Sequence, residues 1–294
     1  SFSQLCQKTN FCYSSLVKKP FIMSIVGPTS SGKTAVSIDF AKKLKGLGIT
    51  AEIVSADSRQ VYIGLNLLSG KVTKKEMGLI PHHMLDVVSP KKVYSVSDYK
   101  KDAEKIIDEI VARGNLPVLV GGTGFYVDAI TKGIILPEVP PNKELRKKLE
   151  KLETKKLLET LKKLDPARYR EIDQNNRVRL IRAIEIAKSI GKVPKIKTKP
   201  KYDVETVYVD LPDEELKKKI HTRLLARIKS GMINEGKKLH TSGVSWKRME
   251  ELGLECRFVA LHLQGKMSKK EMIEELEKST WQYVKRQRTW FRKK

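Results

Sequence analysis

Apolar and polar positions alternate along the chain in two distinct rhythms. "FIMSIVG" at 21–27 is apolar at nearly every position and closes on glycine, which predicts a buried strand. "GKTAVSIDFAKKLKGLG" at 32–48 follows with apolar residues at helical spacing and a glycine stop, which predicts a helix. "AEIVSADS" at 51–58 reads as a second strand. "YSVSDYKKDAEKIIDEIVARG" at 94–114 reads as a helix with a serine start and a glycine stop, and "LPVLVGGTG" at 116–124 as a third strand and turn. Strands alternating with helices predict a parallel sheet with crossover helices.

The rhythm changes after "ILPEVPPN" at 135–142. Residues 143–192 hold no strand-like run. "KELRKKLEKLETKKLLETLKKLD" and "NNRVRLIRAIEIAKSIG" read as basic amphipathic helices bracketed by prolines 137, 140 and 141 on one side and 194 and 200 on the other. "VETVYVDLP" at 204–212 is strand-like again and predicts a return to the sheet; helices follow it. The expected organisation is therefore a polar, disordered tail at 1–19, an α/β core at 20–137 and 203–294, and an all-helical insertion at 138–202. No internal repeat is visible.

Composition narrows the classes. The chain has 294 residues, 40% of them hydrophobic and 32% charged, as in a water-soluble globular protein. No apolar run approaches the roughly 20 residues that cross a bilayer. Cys6, Cys12 and Cys256 are odd in number and widely spaced, which argues against a disulfide framework or a metal-ligand spacing; a reducing, cytoplasmic setting is the expectation. Lys and Arg number 59 against 34 Asp and Glu, a formal charge of +25. Such an excess favours a polyanionic partner, because each basic contact to a phosphate releases counterions. The alternative is a lysine-rich surface with no partner.

The candidate chemistry starts at "IVGPTSSGKTAVSI". Gly27, Gly32, Lys33 and Thr34 satisfy G-x-x-x-x-G-K-[ST] between a strand and a helix. Glycines let the backbone curl until its N–H groups face phosphate oxygens, the helix start adds positive dipole, Lys33 adds a point charge, and the Thr34 hydroxyl suits Mg²⁺. The fold expected is thus a P-loop NTPase-like parallel sheet flanked by helices, carrying the helical insertion. The loop alone does not name its ligand. A nucleotide-hydrolysing or kinase reading needs a second acid for the metal at a strand end. The third strand ends in "VLVGGTG" with none, and the only acid read at a strand end is Asp57 in "IVSADSRQ". Asp57 then serves a metal, acts as a general base on an acceptor, or merely caps the next helix.

Eight segments in order resemble the tRNA dimethylallyltransferases: "GPTSSGKT", "IVSADSRQVYIGL", "PHHMLDVVSP", "YSVSDYKKDA", "PVLVGGTGFYVDAI", "RVRLIRAIEI", "RLLARIKSGMINEG" and "YVKRQRTWFRK". The resemblance runs from about Ile22 to Arg292. It implies that the loop, Gly27, Pro28, Thr29, Ser30, Ser31, Gly32, Lys33 and Thr34, holds the diphosphate of dimethylallyl diphosphate rather than ATP. It implies transfer of the dimethylallyl group to N6 of the adenosine 3′ of the anticodon. Asp57 matches the base that takes the amine proton, and Arg223 a second group facing the diphosphate; on sequence alone Arg223 reads as a surface helix arginine. Lys33, Thr34 and Mg²⁺ would stabilise the leaving group. Asp57, Ser58, Arg59 and Gln60 match the segment that meets the target base. Thr123, Arg146, Arg179 and Arg182 match tRNA-contacting positions; Thr123 otherwise reads as a turn residue, and Arg179 and Arg182, three apart on one helix face, as a solvated basic face. The partners implied are the tRNA anticodon stem-loop and dimethylallyl diphosphate, with no membrane, for a monomer.

Other features bear on this resemblance. "STWQYVKRQRTWFRKK" holds six basic residues, no acid and four aromatics, suiting either RNA contact with base stacking or the anchoring of a final helix. His82 and His83 read as structural. After "VYIGL" the family tends to read "DIGTAKP" where this chain has "NLLSGKV", with Lys71 retained; "VSWKRMEELGLECRFVALHL" lacks the more common "GYKE". A Cys/His zinc module is missing, which points to a bacterial-type or organellar enzyme. The rivals are an isopentenyltransferase acting on free adenine nucleotides, a small-molecule P-loop kinase and a non-catalytic RNA-binding protein.

Overall fold

The computed structural model describes residues 19–292. The tail expected at 1–19 therefore lies outside the described residues apart from Lys19, as do Cys6 and Cys12. The chain forms two compact units: one runs to Gly133 and resumes at Pro200, and the other is Ile134–Lys199.

The first unit is built on a five-stranded parallel sheet of β1 (Phe21–Val26), β2 (Ala51–Ala56), β3 (His82–His83), β4 (Leu116–Gly121) and β7 (Asp203–Tyr208), in the order β3-β2-β4-β1-β7. β2 and β4 are buried along their whole length and β1 nearly so, which explains their mostly apolar text: helices cover both faces. On one face α1 (Lys33–Lys45) packs Ile38, Ala41 and Leu44 against Met23, Ile25, Ile53 and Val118. On the other, α3 (Val96–Ala112) packs Tyr99, Ala103, Ile107 and Ile110 against Ile22, Val54 and Leu119. Ser95 and Asp98 form a capping box that starts α3 where the serine predicted it. α2 (Lys74–Met77) precedes β3, and α4 (Gly124–Thr131) follows β4.

Register decides what the sheet presents. Val26 and Ala56 both pair with Gly121, and Val26 also pairs with Tyr208. The carboxyl ends of four strands are thus level, and Gly27, Asp57, Gly122 and Asp210 emerge along one rim. In open parallel sheets that rim is where ligands bind.

The edge strand β3 is only two residues long and left no period in the sequence. It is pinned by side chains: His83 Nε2 lies 2.6 Å from Glu52 Oε2, and Arg113 and Asn115 bind the same buried carboxylate. His83 thus ties β3 to β2, and His82 Nδ1 lies 2.8 Å from Ile80 O.

Five further helices complete the first unit: α9 (Asp213–Lys229), α10 (Met232–Thr241), α11 (Trp246–Glu251), α12 (Leu254–Leu263) and α13 (Lys269–Arg292). Val61, Leu65 and Leu68 from the loop after β2 enter their shared core with Met249, Val259 and Leu276. Cys256 is buried there, and burial pushes its thiol up to about 12, so it is an inert core residue. Lys71 is buried and bonds Tyr62 O (2.9 Å) and Asp86 Oδ1 (2.5 Å), closing the loop that departs from the family text. No helix among the described residues is long and apolar enough to cross a membrane.

The second unit holds α5 (Lys143–Glu150), α6 (Thr154–Leu164), α7 (Pro166–Glu171) and α8 (Arg177–Ile190) around Leu149, Leu157, Leu161, Leu180 and Ile184. It is not wholly helical. β5 (Ile134–Ile135) and β6 (Lys197–Thr198) pair antiparallel and bring the two ends of the unit together. Two-residue strands are too short to show an alternation, so the sequence carried no sign of them.

Candidate active site

The loop between β1 and α1 is shaped for an anion. Gly27 sits at φ 154°, and a Cβ there would lie 2.0 Å from the Val209 carbonyl oxygen, so no other residue fits. Gly32 precedes α1 at φ 95°, with no side-chain cap and no acid in the first turn. The first amides of the helix are left for a ligand, and nothing negative competes with it. Ser31 Oγ is buried without a hydrogen-bond partner, a donor inside the cradle.

Lys33 Nζ donates to Pro28 O at 2.6 Å. Burial, together with the positive charge of Arg223, lowers its pKa to about 8, against the opposing pull of Asp57 and Asp210. Arg223 reaches the loop from α9, its Nη1 donating to Ser30 Oγ at 3.3 Å. It is thus not a surface bystander. Arg223 is exposed on α9, yet crowding of its guanidinium against the surrounding protein and its neighbour Arg227 lower its own pKa. The site brings Lys33, Arg223, Ser30, Ser31 and Thr34 around one loop. Thr29 is the exception: its N–H donates to Gln287 Oε1 at 2.9 Å, so this amide is already taken.

Asp57 leads the segment after β2. Its Oδ1 accepts the N–H groups of Arg59 (2.8 Å) and Gln60 (3.3 Å), and among the described residues no hydrogen bond engages Oδ2. No helix follows for Asp57 to cap; its Oδ1 instead closes the turn at 58–60, and the other oxygen is left to accept a proton. Thr123 Oγ1 accepts the Ser58 N–H at 3.0 Å, tying the turn after β4 to this segment. Thr123 is therefore already a structural tie on this face. Arg59 Nη1 bonds Glu251 O at 3.2 Å, and Gln60 stands half-buried beside it.

Asp57 is not the only acid beside a strand end. Asp210 lies two residues past β7, hidden in the text because the strand stops at Tyr208. It is fully engaged: Arg288 Nε and Nη2 bind its oxygens at 2.9 and 3.0 Å, and Tyr208 and the Leu211 N–H add bonds. Burial opposes its ionisation, but these donors outweigh it and hold its pKa below the usual value. It is a structural anion and not a free metal ligand.

The donors fit Mg²⁺ only in its sparse mode. Thr34 is exposed at the first turn of α1, and Asp57 has one unengaged oxygen. No group of three or more His, Cys, Asp or Glu among the described residues forms a protein cage. Mg²⁺ held mostly by water and substrate phosphates needs no more than one or two such ligands.

Within the second unit, Arg146 and Arg182 share one carboxylate. Both bind Glu185, whose side chain is 1% exposed: Arg146 Nε and Nη2 donate at 2.9 and 2.7 Å, and Arg182 bonds both Glu185 and Val139 O. The Asn142 N–H adds a further bond at 2.6 Å. The family resemblance pointed to both arginines as tRNA contacts, and nothing in the local text showed the buried carboxylate that they share. Arg179 is exposed. Burial opposes ionisation of Glu185, yet the two arginines and the amide hold its carboxyl down at about 2. A depressed carboxylate stabilises the fold above its unfolded pKa of about 4.3 and loses that contribution as pH falls towards 2. Glu185→Gln should cost about 3 kcal/mol, because it strands two partly buried cations, and should remove that acid dependence. Thermal melts between pH 2 and 7 would measure both; an unchanged acid limb would refute the assignment.

The sequence reading missed Gln287 on α13. Tyr283 was among the four aromatics of "STWQYVKRQRTWFRKK", read as a choice between RNA contact and anchoring. The anchoring alternative is what α13 shows: Phe291 is buried, Trp290 meets Phe125 edge-on at 6.4 Å, and Tyr283 lies against Gly122 O.

Comparison with known proteins adds an independent measure. A family model described as IPP transferase matches residues 60–294. A Treponema denticola protein named tRNA dimethylallyltransferase 2 is 40% identical over 290 residues, covering 97% of this chain and 95% of its own length. A Syntrophus aciditrophicus protein named tRNA dimethylallyltransferase 1 is 39% identical over 277 residues, covering 92% and 89%. Among solved structures, a full-length tRNA isopentenylpyrophosphate transferase from Bacillus halodurans superposes with TM-score 0.68 at 34% identity, over 94% of this chain and 88% of that one. A eukaryotic dimethylallyltransferase captured acting on tRNA superposes with TM-score 0.77 at 25% identity, over 92% and 69%.

Proposed function

The chain belongs to the IPP transferase family, and on that premise we propose that it moves a dimethylallyl group from dimethylallyl diphosphate to N6 of the adenosine 3′ of the anticodon in tRNA. The observation that carries the reading is the rim of the sheet. An anion loop and a carboxylate with one unengaged oxygen emerge from β1 and β2 on either side of the turn after β4. Asp210, the other acid at the rim, is neutralised by Arg288. That leaves one working carboxylate beside one phosphate cradle.

The chemistry needs that set. The lone pair of an exocyclic adenine amine is delocalised into the ring, so the amine attacks well only if its proton is removed as the bond forms. N6 attacks C1 of the dimethylallyl group, the C1–O bond breaks with its electron pair going to the diphosphate oxygen, and the N6 proton passes to Asp57. Negative charge grows on the leaving diphosphate, where Lys33, Arg223, the Ser30 and Ser31 hydroxyls and the first amides of α1 stand. Mg²⁺, held by Thr34 and the phosphates, would add charge stabilisation on the leaving group. Ser58, Arg59, Gln60 and Thr123 sit where the acceptor base approaches Asp57, and the charge of +25 favours a nucleic acid as acceptor. The enzyme acts as a monomer in this reading.

Incubation with unmodified tRNA, Mg²⁺ and dimethylallyl diphosphate, followed by nucleoside digestion and mass spectrometry, tests the proposal. A parallel tube holds AMP. A dimethylallyl mass increase on adenosine from tRNA alone is expected. An increase in the AMP tube alone would move the chain to the free-nucleotide branch, and ATP hydrolysis with no alkylated product would favour the kinase reading.

A further inference from the structure

Tyr283, Gln287 and Trp290 recur at i, i+4 and i+7 on α13 and share one face. That face lies on the turn after β4. Trp290 covers Gly124, where a Cβ would stand 2.4 Å from the indole, and Tyr283 and Gln287 both reach Gly122 O, at 3.5 and 2.8 Å. Gln287 does more than its neighbours. Its side chain is buried, its Nε2 donates to Gly122 O, and its Oε1 accepts the Thr29 N–H at 2.9 Å. One planar amide therefore bridges the anion loop and the turn after β4. That turn continues into Thr123, whose hydroxyl accepts the Ser58 N–H next to Asp57. The chain of bonds runs Thr29, Gln287, Gly122, Thr123, Ser58, Asp57.

The bridge is tightly fitted. A Cβ on Gly122 would lie 2.4 Å from Gln287 Nε2 and 3.2 Å from Gly27 O. The next residue, Arg288, is locked by Asp210 and by Leu211 O at 2.6 Å, so the helix cannot slide under the glutamine. A phosphate loop ordinarily turns its amides to the ligand; here one amide is spent on a link to the other half of the site.

We propose that Gln287 is a positioning residue that sets the separation of the diphosphate loop and the Asp57 base. Its two bonds fix the distance between where the leaving group departs and where the acceptor amine is deprotonated. Both must be in place in the same transition state, and misplacement of reacting groups by about 1 Å costs on the order of 10²-fold in rate. The inference rests on reading the loop as the isoprenoid donor site.

The test compares steady-state kinetics of the wild-type protein, Gln287→Met and Gln287→Glu, with thermal melts as the check on folding. Methionine keeps the length and volume but makes neither bond. It should lower kcat at least about ten-fold while KM for tRNA stays within about two-fold, because nothing on the acceptor surface has changed. Glutamate keeps the acceptor for the Thr29 N–H but cannot donate to Gly122 O when ionised, and it adds a negative charge beside the loop. It should also raise KM for dimethylallyl diphosphate. A merely structural role would lower the melting temperature without this split between kcat and KM for tRNA. Wild-type kcat in either folded variant overturns the proposal. If methionine prevents folding, glutamate decides it, and if both prevent folding the residue is structural and the proposal falls. A wild-type protein that transfers nothing overturns the donor-site reading itself, and the bridge with it.

Discussion

Asp57→Asn is expected to lower kcat by about 10²–10⁴-fold, the usual share of a general base, while tRNA binding stays within a few-fold. The asymmetry follows from how the carboxylate is used. Oδ1 accepts the amides of Arg59 and Gln60, and an asparagine carbonyl accepts them equally well, so the turn that presents Ser58, Arg59 and Gln60 is kept. Oδ2 carries no hydrogen bond among the described residues, and in the proposed reaction it is the atom that receives the amine proton. An amide in its place accepts no proton, and the attacking nitrogen then has to shed it to water. Steady-state kinetics with a gel-shift measurement of tRNA affinity separate the two effects. Turnover equal to wild type would remove Asp57 from the chemistry; loss of tRNA affinity in step with turnover would make it a structural cap.

The second large effect belongs to Lys33. Lys33→Met should lower kcat/KM for dimethylallyl diphosphate by about 10²–10³-fold, the order seen when one group stabilising a developing anion is removed. It should leave KM for tRNA near its normal value. A pH signature accompanies it. With the pKa of Lys33 lowered to about 8 by burial and Arg223, the free enzyme holds its ammonium below that pH and loses it above. kcat/KM for the diphosphate should therefore fall as pH rises through about 8, because that ratio reports the free enzyme. Asp57 and Asp210 pull the other way, and bound diphosphate would raise the pKa further, so kcat itself should show a weaker alkaline limb. Arginine does not deprotonate in this range. Lys33→Arg should thus abolish the alkaline limb even if its absolute rate is lower. An unchanged limb in that variant would assign the titration to another group.

How much of this was legible in the text varied with the range of the interaction. The anion loop was legible because all its parts lie within eight residues: the glycines that permit the curl, the lysine, the hydroxyl and the helix that begins there. The buried strands were legible because a strand covered on both faces is mostly apolar, with a charge such as Glu52 in β2 admitted only where partners meet it. Asp57 could be placed at a strand end, although its three possible roles could be separated only by seeing which oxygen is engaged. Arg223 was different. Its contact with Ser30 spans 193 residues, and only the family resemblance pointed to it. Arg146 and Arg182 were likewise pointed to by the resemblance, and their shared partner was not legible: Glu185 is close to Arg182 in sequence and 39 residues from Arg146. Asp210 escaped notice because a strand boundary misjudged by a few residues hid a strand-end acid. Gln287 could not be found locally at all: its two partners lie 258 and 165 residues away. A glutamine among arginines and aromatics carries no period that betrays a link between two loops.

The account's central claim is that the loop at Gly27–Thr34 holds a diphosphate that leaves as a unit while Asp57 deprotonates the acceptor. The most direct measurement is the stoichiometry of released inorganic diphosphate in a reaction of the wild-type protein with dimethylallyl diphosphate, Mg²⁺ and tRNA, set against alkylated adenosine counted in the same samples. The account predicts one diphosphate released per adenosine modified, none without tRNA, and no orthophosphate when ATP is supplied instead. Orthophosphate released from ATP with no diphosphate released from the isoprenoid donor would contradict it.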